Sequence, residues 1–113
     1  MAIFYKNAGF SLTTTSLTTI LSINSSSVAI VKDIAVTNTG STSANLDMYV
    51  YSASDTTNYQ FIHASVPAAY NDNAAQTVLN LEQGDAILAQ TSTASVIKGV
   101  ISYALLDRVG TNG

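Results

Sequence analysis

Leu46-Asp-Met-Tyr-Val-Tyr51 and Tyr59-Gln-Phe-Ile-His-Ala-Ser-Val66 decide the fold of this chain. In the first stretch Leu46, Met48 and Val50 alternate with Asp47, Tyr49 and Tyr51. In the second, Ile62, Ala64 and Val66 alternate with Tyr59, Phe61 and His63. Alternation of this kind is the signature of a pleated strand, whose successive side chains point to opposite faces. The polar Ser52–Asn58 connection makes the pair an antiparallel hairpin. One register keeps both faces consistent: Tyr51 opposite Tyr59, Tyr49 opposite Phe61, Asp47 opposite His63, Met48 opposite Ile62 and Leu46 opposite Ala64. It gathers Tyr49, Tyr51, Tyr59 and Phe61 on the face away from Leu46 and Met48. Such an aromatic face is either an interaction platform or the interior of a sandwich. Sugar stacking is a third use, weakened by the absence of Trp.

Similar strands continue in both directions. Val28–Val36 is rich in β-branched residues and lies between Ser25-Ser-Ser27 and Asn38-Thr-Gly40. Two-residue alternation places Val28, Ile30, Ile34 and Val36 on one face, together with Lys32. Either the strand bulges at Lys32-Asp33 or the ammonium snorkels to water, and the bulge is preferred. Pro67 ends the hairpin's second strand because it has no N–H for the ladder. Ala68–Ala75 reads as a loop with Asn71-Asp-Asn73 at its tip, Thr77–Leu81 as a short strand, and Glu82-Gln-Gly-Asp85 as a turn in which Gly84 supplies positive φ. Ala86–Thr91 and Ser95–Leu106 are further strands about a turn at Ser92–Ala94. The last is apolar on both faces, with Val96 and Val100 on one and Ile97, Ile101 and Leu105 on the other; it is central in the sandwich or covered by a neighbouring subunit. Leu17–Ile23 is a strand, and Ile3–Leu12 a strand or an arm. Gly110–Gly113 is expected to be a loose tail.

About eight strands at near-regular spacing, with no helical period, predict an all-β antiparallel sandwich, jelly-roll-like. Residues 1–113 form one such domain, with 1–12 its first strand or an N-terminal arm.

Composition narrows the function. Ser and Thr fill 28 of 113 positions and charged residues only 10%, against about 25% in ordinary soluble domains. The surface is therefore built of hydroxyls, amides and alanines. A net charge of −3 with four scattered cations, Lys6, Lys32, Lys98 and Arg108, argues against a nucleic-acid partner, which needs clustered positive charge. With no Cys, disulfides, thiol catalysis and thiolate-bound zinc are excluded. No secretion signal and no membrane span are legible, so synthesis in the cytoplasm and no membrane partner are expected.

No residue set declares a reaction. His63, with Ser65 and Asp47, could sketch a catalytic triad, but there is no nucleophile elbow and no Gly-rich oxyanion loop; a cross-strand surface pair of His63 with Asp47 is the simpler reading. Asn71-Asp-Asn73, with Asp55 or Asp85, could offer oxygens to calcium, yet lacks the EF-hand spacing and is ordinary turn chemistry. Glu82 and Asp85 flank a turn, where polar residues normally sit. No catalytic residue, metal or cofactor is assigned.

Phe4-Tyr-Lys-Asn-Ala-Gly9, Leu12-Thr-Thr-Thr15, Val28-Ala-Ile-Val-Lys-Asp-Ile-Ala-Val-Thr-Asn38, Leu79-Asn-Leu-Glu-Gln-Gly-Asp-Ala-Ile87 and Val100-Ile-Ser-Tyr-Ala-Leu-Leu106 together resemble small virion proteins of tailed phages, especially marine and cyanobacterial ones. The resemblance covers most of the chain. It implies a structural virion protein, foremost a capsid decoration (cement) protein bound across joints between major capsid protein subunits, with a neck, tail or baseplate component as the alternative and a carbohydrate-binding module as a further one. It implies no catalytic residue. A virion location, assembly in the host cytoplasm, and self-association as a homotrimer on a phage head follow from the same analogy. The expected interface residues are Phe4, Tyr5 and Phe10 near the N-terminus with Tyr49, Tyr51, Tyr59 and Phe61 on the hairpin.

Overall fold

The computed structural model describes residues 2–68, 70–73 and 78–107. They form nine strands: β1 Ala2–Ser11, β2 Thr18–Ser22, β3 Ser27–Asn38, β4 Ala44–Ser52, β5 Thr57–Val66, β6 Tyr70–Asn73, β7 Leu79–Leu81, β8 Ala86–Thr91 and β9 Ile97–Asp107. Two antiparallel sheets result. Sheet 1 runs β1-β9-β3-β6, with β7 also paired to β3; sheet 2 runs β2-β8-β4-β5. Because β6 and β7 share one edge of β3, each sheet is four strands wide. Sequence neighbours fall in opposite sheets at β1/β2, β2/β3, β3/β4, β5/β6, β7/β8 and β8/β9, so the two sheets of the sandwich are interleaved along the chain.

The core lies between the sheets. Val31, Ile34, Ile97 and Ile101 from sheet 1 and Leu46, Met48 and Ile87 from sheet 2 are fully buried, each worth roughly 1.5–3 kcal/mol of burial. Leu12 seals one end, where its N–H reaches Ile97 O and its O accepts from Ser95 N. The N-terminal segment, for which the sequence allows a strand or an arm, forms β1, laid along the full length of β9 from Ala2↔Asp107 to Ser11↔Lys98.

Besides a register shift in β2 between Thr19 and Leu21, two bulges correct which residues face inward. The β3 register shifts between Val31 and Asp33, so the expected bulge at Lys32 is present. It has a consequence that alternation alone misses: the extra residue reverses parity. Ala29 and Val31 point inward before it, and Ile34 and Val36 after it, which corrects the single face drawn through Val28, Ile30, Ile34 and Val36. Val28 and Ile30 face outward. The second bulge lies in β5. Asp47↔His63, Met48↔Ile62 and Leu46↔Ala64 pair as expected, but the register then shifts to Tyr49↔Gln60, Val50↔Tyr59 and Tyr51↔Asn58. The pairs Tyr51–Tyr59 and Tyr49–Phe61 do not form, because Phe61 is the additional residue and packs with Ile62 against the core.

A further correction concerns Asn71-Asp-Asn73. These residues are not a loop tip; they belong to β6, where Ala35↔Asn73 through Asn38↔Tyr70 pair with the half of β3 that β7 leaves open. The unmet N–H and C=O groups of a long strand recruit a partner backbone whatever its side chains. The remainder of the expected loop at 69 and 74–75, and the tail at 110–113, lie outside the described residues.

Two buried polar side chains fasten the ends. Asn38, fully buried, donates from Nδ2 to Thr42 O (3.0 Å) and Val66 O (2.9 Å) and accepts from Gly40 N (2.8 Å). It thereby joins sheet 1 to the end of β5. At the opposite end Asp85 accepts from Ala53 N and Glu82 N, both at 2.9 Å, while its own O accepts from Ile23 N. Three turns are tied through one residue. Gly84 has the expected positive φ of 83°.

Candidate interaction surfaces

The pairings fix the outer face of each sheet. On sheet 1 the outward rows are Ile3-Leu106-Val28, Tyr5-Ala104-Ile30, Asn7-Ser102-Asp33, Gly9-Val100-Ala35 and Ser11-Lys98-Thr37. Four of these side chains are large, apolar and well exposed: Tyr5 76%, Ile3 54%, Val100 44% and Ile30 38%. The Lys32 ammonium stands 5.4 Å from the Tyr5 ring centroid, a cation–π distance. Ser102 Oγ donates to Asn7 Oδ1 at 3.1 Å. An open depression of about 190 Å³ is lined by Tyr5, Lys6, Asn7, Lys32, Ser102 and Tyr103.

On sheet 2 the outward residues include Tyr49 and Tyr51 of β4, Leu88 and Gln90 of β8, and Gln60 and His63 of β5. Tyr49, Tyr51 and Leu88 are half-buried by their neighbours. Polar groups frame them. His63 Nδ1 lies 2.6 Å from Asp47 Oδ1, which also accepts from Gln60 Nε2 at 3.0 Å. His63 is 81% exposed, so this is an open cross-strand pair on a flat surface, as expected for the simpler reading. At the β4–β5 turn Tyr59 Oη donates to Asp55 Oδ2 at 2.6 Å. Hydrogen bonds from Ser52 and then Tyr59 hold the Asp55 carboxyl below the usual carboxylate range, and the same bond raises the Tyr59 phenol.

The expected aromatic set is therefore distributed. Tyr49 and Tyr51 share the outer face of sheet 2; Tyr59 stands beside the turn on the Val50 side; Phe61 leans into the core. Near the N-terminus, Tyr5 is on the outer face of sheet 1, while Phe4 and Phe10 are on the inner face. Phe10 packs against the core and lies so close over Gly99 that an added Cβ there would sit 2.5 Å from its ring. Sequence reasoning missed the exposure of Ile30, which depends on the parity reversal at Lys32; Val100 lies on unbulged β9, where alternation separated it from Ile97 and Ile101 without saying which face is covered. Among the described residues no three His, Asp or Glu side chains cluster as a metal site, and no helix is long and apolar enough to cross a membrane.

No family model matches the sequence, and no curated protein matches it. Solved structures do match in fold. A chain of the acid-stable capsid of Helicobacter pylori bacteriophage KHP30 aligns with a TM-score of 0.52 at 14% identity, over 94% of this chain and 88% of that one. A subunit of the disulfide-linked pili that form Bacillus endospore appendages aligns at 0.57 and 13% identity, over 96% and 89%. A chain of the infectious bursal disease virus particle aligns at 0.57 and 11% identity; this chain spans about a third (32%) of its length. At these identities the likeness is one of fold: the same sandwich occurs in capsid and pilus proteins.

Proposed function

We propose that this protein is a structural, non-enzymatic component of a tailed-phage virion, a capsid decoration (cement) protein that binds as a homotrimer across joints between major capsid protein subunits. The observation that carries the reading is the match to the KHP30 capsid chain, because it extends over nearly the whole of both chains. A sparsely charged, hydroxyl-rich surface with exposed apolar side chains supports it. Many copies on a shell make individually weak contacts effective through multivalency. The contact residues proposed, toward the shell or a second copy, are Phe4, Tyr5, Tyr49, Tyr51 and Tyr59, with the freest surface at Tyr5, Tyr59 and Phe4; Phe10 and Phe61, expected with them, pack against the core instead. Burying the contact residues across a joint opposes separation of the shell subunits.

The pilus likeness favours one second reading, a filament subunit. Having no Cys, such a filament would be held without disulfides.

The test is co-sedimentation of the purified protein with heads and with tails separated from virions of the phage that carries it. Saturable binding to heads, with heads that then withstand heating better, is the expected result. Binding to tails alone would move the protein to the neck, tail or baseplate. Self-assembly into fibres without binding to either would favour the filament.

A further inference from the structure

We infer that the outer face of sheet 1 is a two-fold contact between copies of this chain, in which Lys32 of each copy pairs with Asp33 of the other. The argument starts from the rows already described. The Asn7-Ser102-Asp33 row is polar and central. On one side of it lies the row Tyr5-Ala104-Ile30, and on the other the row Gly9-Val100-Ala35. Within each strand the two flanking residues differ in size: Tyr5 against Gly9, Ile30 against Ala35, and Val100 against Ala104.

A two-fold axis between two facing sheets, running over the central row and across the strands, exchanges the flanking rows. Every residue i then meets j and every j meets i. Tyr5 falls over Gly9 of the second copy, Ile30 over Ala35, and Val100 over Ala104. Large side chains meet small ones at all three positions, the pattern by which packed layers interdigitate. The space over Gly9 is open: an added Cβ would meet nothing nearer than Gly99 O at 3.9 Å. Aligned face-to-face packing of twisted sheets is ordinary geometry.

Charge selects the same occupant. Lys32 and Asp33 are adjacent in the chain and sit at the bulge beside the axis, so the operation that seats Tyr5 over Gly9 brings the two Asp33 carboxylates to face one another, and each Lys32, turned from the Tyr5 ring, neutralises the partner copy's Asp33. Within one copy they do not pair; among the described residues the one ion pair is His63–Asp47. The bulge that turned Val28 and Ile30 outward also placed this opposite-charged couple at the centre of the apolar face. A four-strand face about 20 Å wide and about 25 Å long is of the size that yields roughly 800 Å² per partner in stable complexes.

The test is solution mass by size-exclusion chromatography with light scattering over a concentration series. The expected wild-type species has an even number of copies, a dimer or, where a three-fold contact also holds, a hexamer. Gly9→Leu fills the recess without touching the fold and should halve that mass. Lys32→Asp and Asp33→Lys should each weaken the pairing at least about tenfold, and the double exchange should restore it. A wild type that is monomeric or trimeric at every concentration overturns the proposal, and so do single variants that associate like the wild type. Hydrogen–deuterium exchange of dilute against concentrated wild type gives a reading independent of any variant: protection on association should appear in Ile3–Gly9, Ile30–Ala35 and Val100–Leu106. Protection confined to sheet 2 overturns the proposal.

Discussion

The two sheets are equally wide and enclose one core, but their outer faces are finished differently. On sheet 2, Tyr49, Tyr51 and Leu88 shelter one another beside the Asp47–His63–Gln60 hydrogen bonds. On sheet 1, Ile3, Tyr5, Ile30 and Val100 stand in water, and large residues alternate with Gly9, Ala35 and Ala104. The aromatic hairpin is thus the more conspicuous feature of the sequence, and the aliphatic face of the other sheet is the less satisfied surface of the fold. Aromatic content alone does not identify a contact surface; what matters is whether neighbours on the same face already cover the side chain.

That contrast can be broken or sharpened in graded steps. The largest effect should come from Asn38→Ala, which leaves Val66 O buried, and Thr42 O and Gly40 N part-buried, without their partner and removes a fully buried side chain. A loss of about 3 kcal/mol is expected, seen as a fall in the thermal midpoint of roughly 10 °C or more; it would remove both faces together. Gly99→Ala comes next, at about 2–3 kcal/mol. The new methyl meets Ala35 O and the Phe10 ring at 2.5 Å, so urea unfolding should show the loss, and sheet 1 alone is strained. Asp85→Ala should cost about 2 kcal/mol by releasing the turns at Ala53 and Glu82, with faster amide exchange at Ala53 as its local signature.

The direct comparison of faces is smaller. Tyr49→Ser should lower stability by about 1 kcal/mol, because its ring is half-covered, whereas Tyr5→Ser should stay within about 0.5 kcal/mol and act on association. Equal stability losses from the two would erase the distinction. Smallest is Tyr59→Phe. Removing the phenol should move the Asp55 titration upward, toward the ordinary carboxylate value, in an NMR pH series. The sign follows from the depressed folded-state value: the bond is intact above the usual carboxylate range and is lost as the pH falls through the folded pKa. The raised Tyr59 phenol loses the same bond only as the pH rises through its own folded value.

Much of this was legible in the residues. Alternation gave β4 and β5, the pairs Leu46–Ala64 through Asp47–His63, the Gly84 turn and the strand end at Pro67. The β3 bulge was legible too, since a Lys on an apolar stripe needs an exit. The β5 bulge left no such mark: Phe61 and Ile62 are both apolar, and nothing local says that both lean inward. Strand β6 was hidden because its residues are turn formers by propensity, and its pairing comes from the free edge of β3, a non-local fact. Likewise Asn38 reads as a turn residue in sequence, and only the approach of Val66 makes it a clamp. The candidate contact face was legible least of all, because one additional residue at position 32 decides which half of β3 looks outward.

The pairing of Ala2 with Asp107 sets the two ends of the described strand framework side by side, with Cα atoms about 5 Å apart. In topological terms the fold is nearly a ring that happens to be cut between β9 and β1. A short linker could close that cut and a new one be opened at the exposed Thr14–Ser16 connection, leaving each pairing in both sheets intact. It also means that both ends of the described framework lie at the same pole of the sandwich, beside the turns that Asp85 ties together.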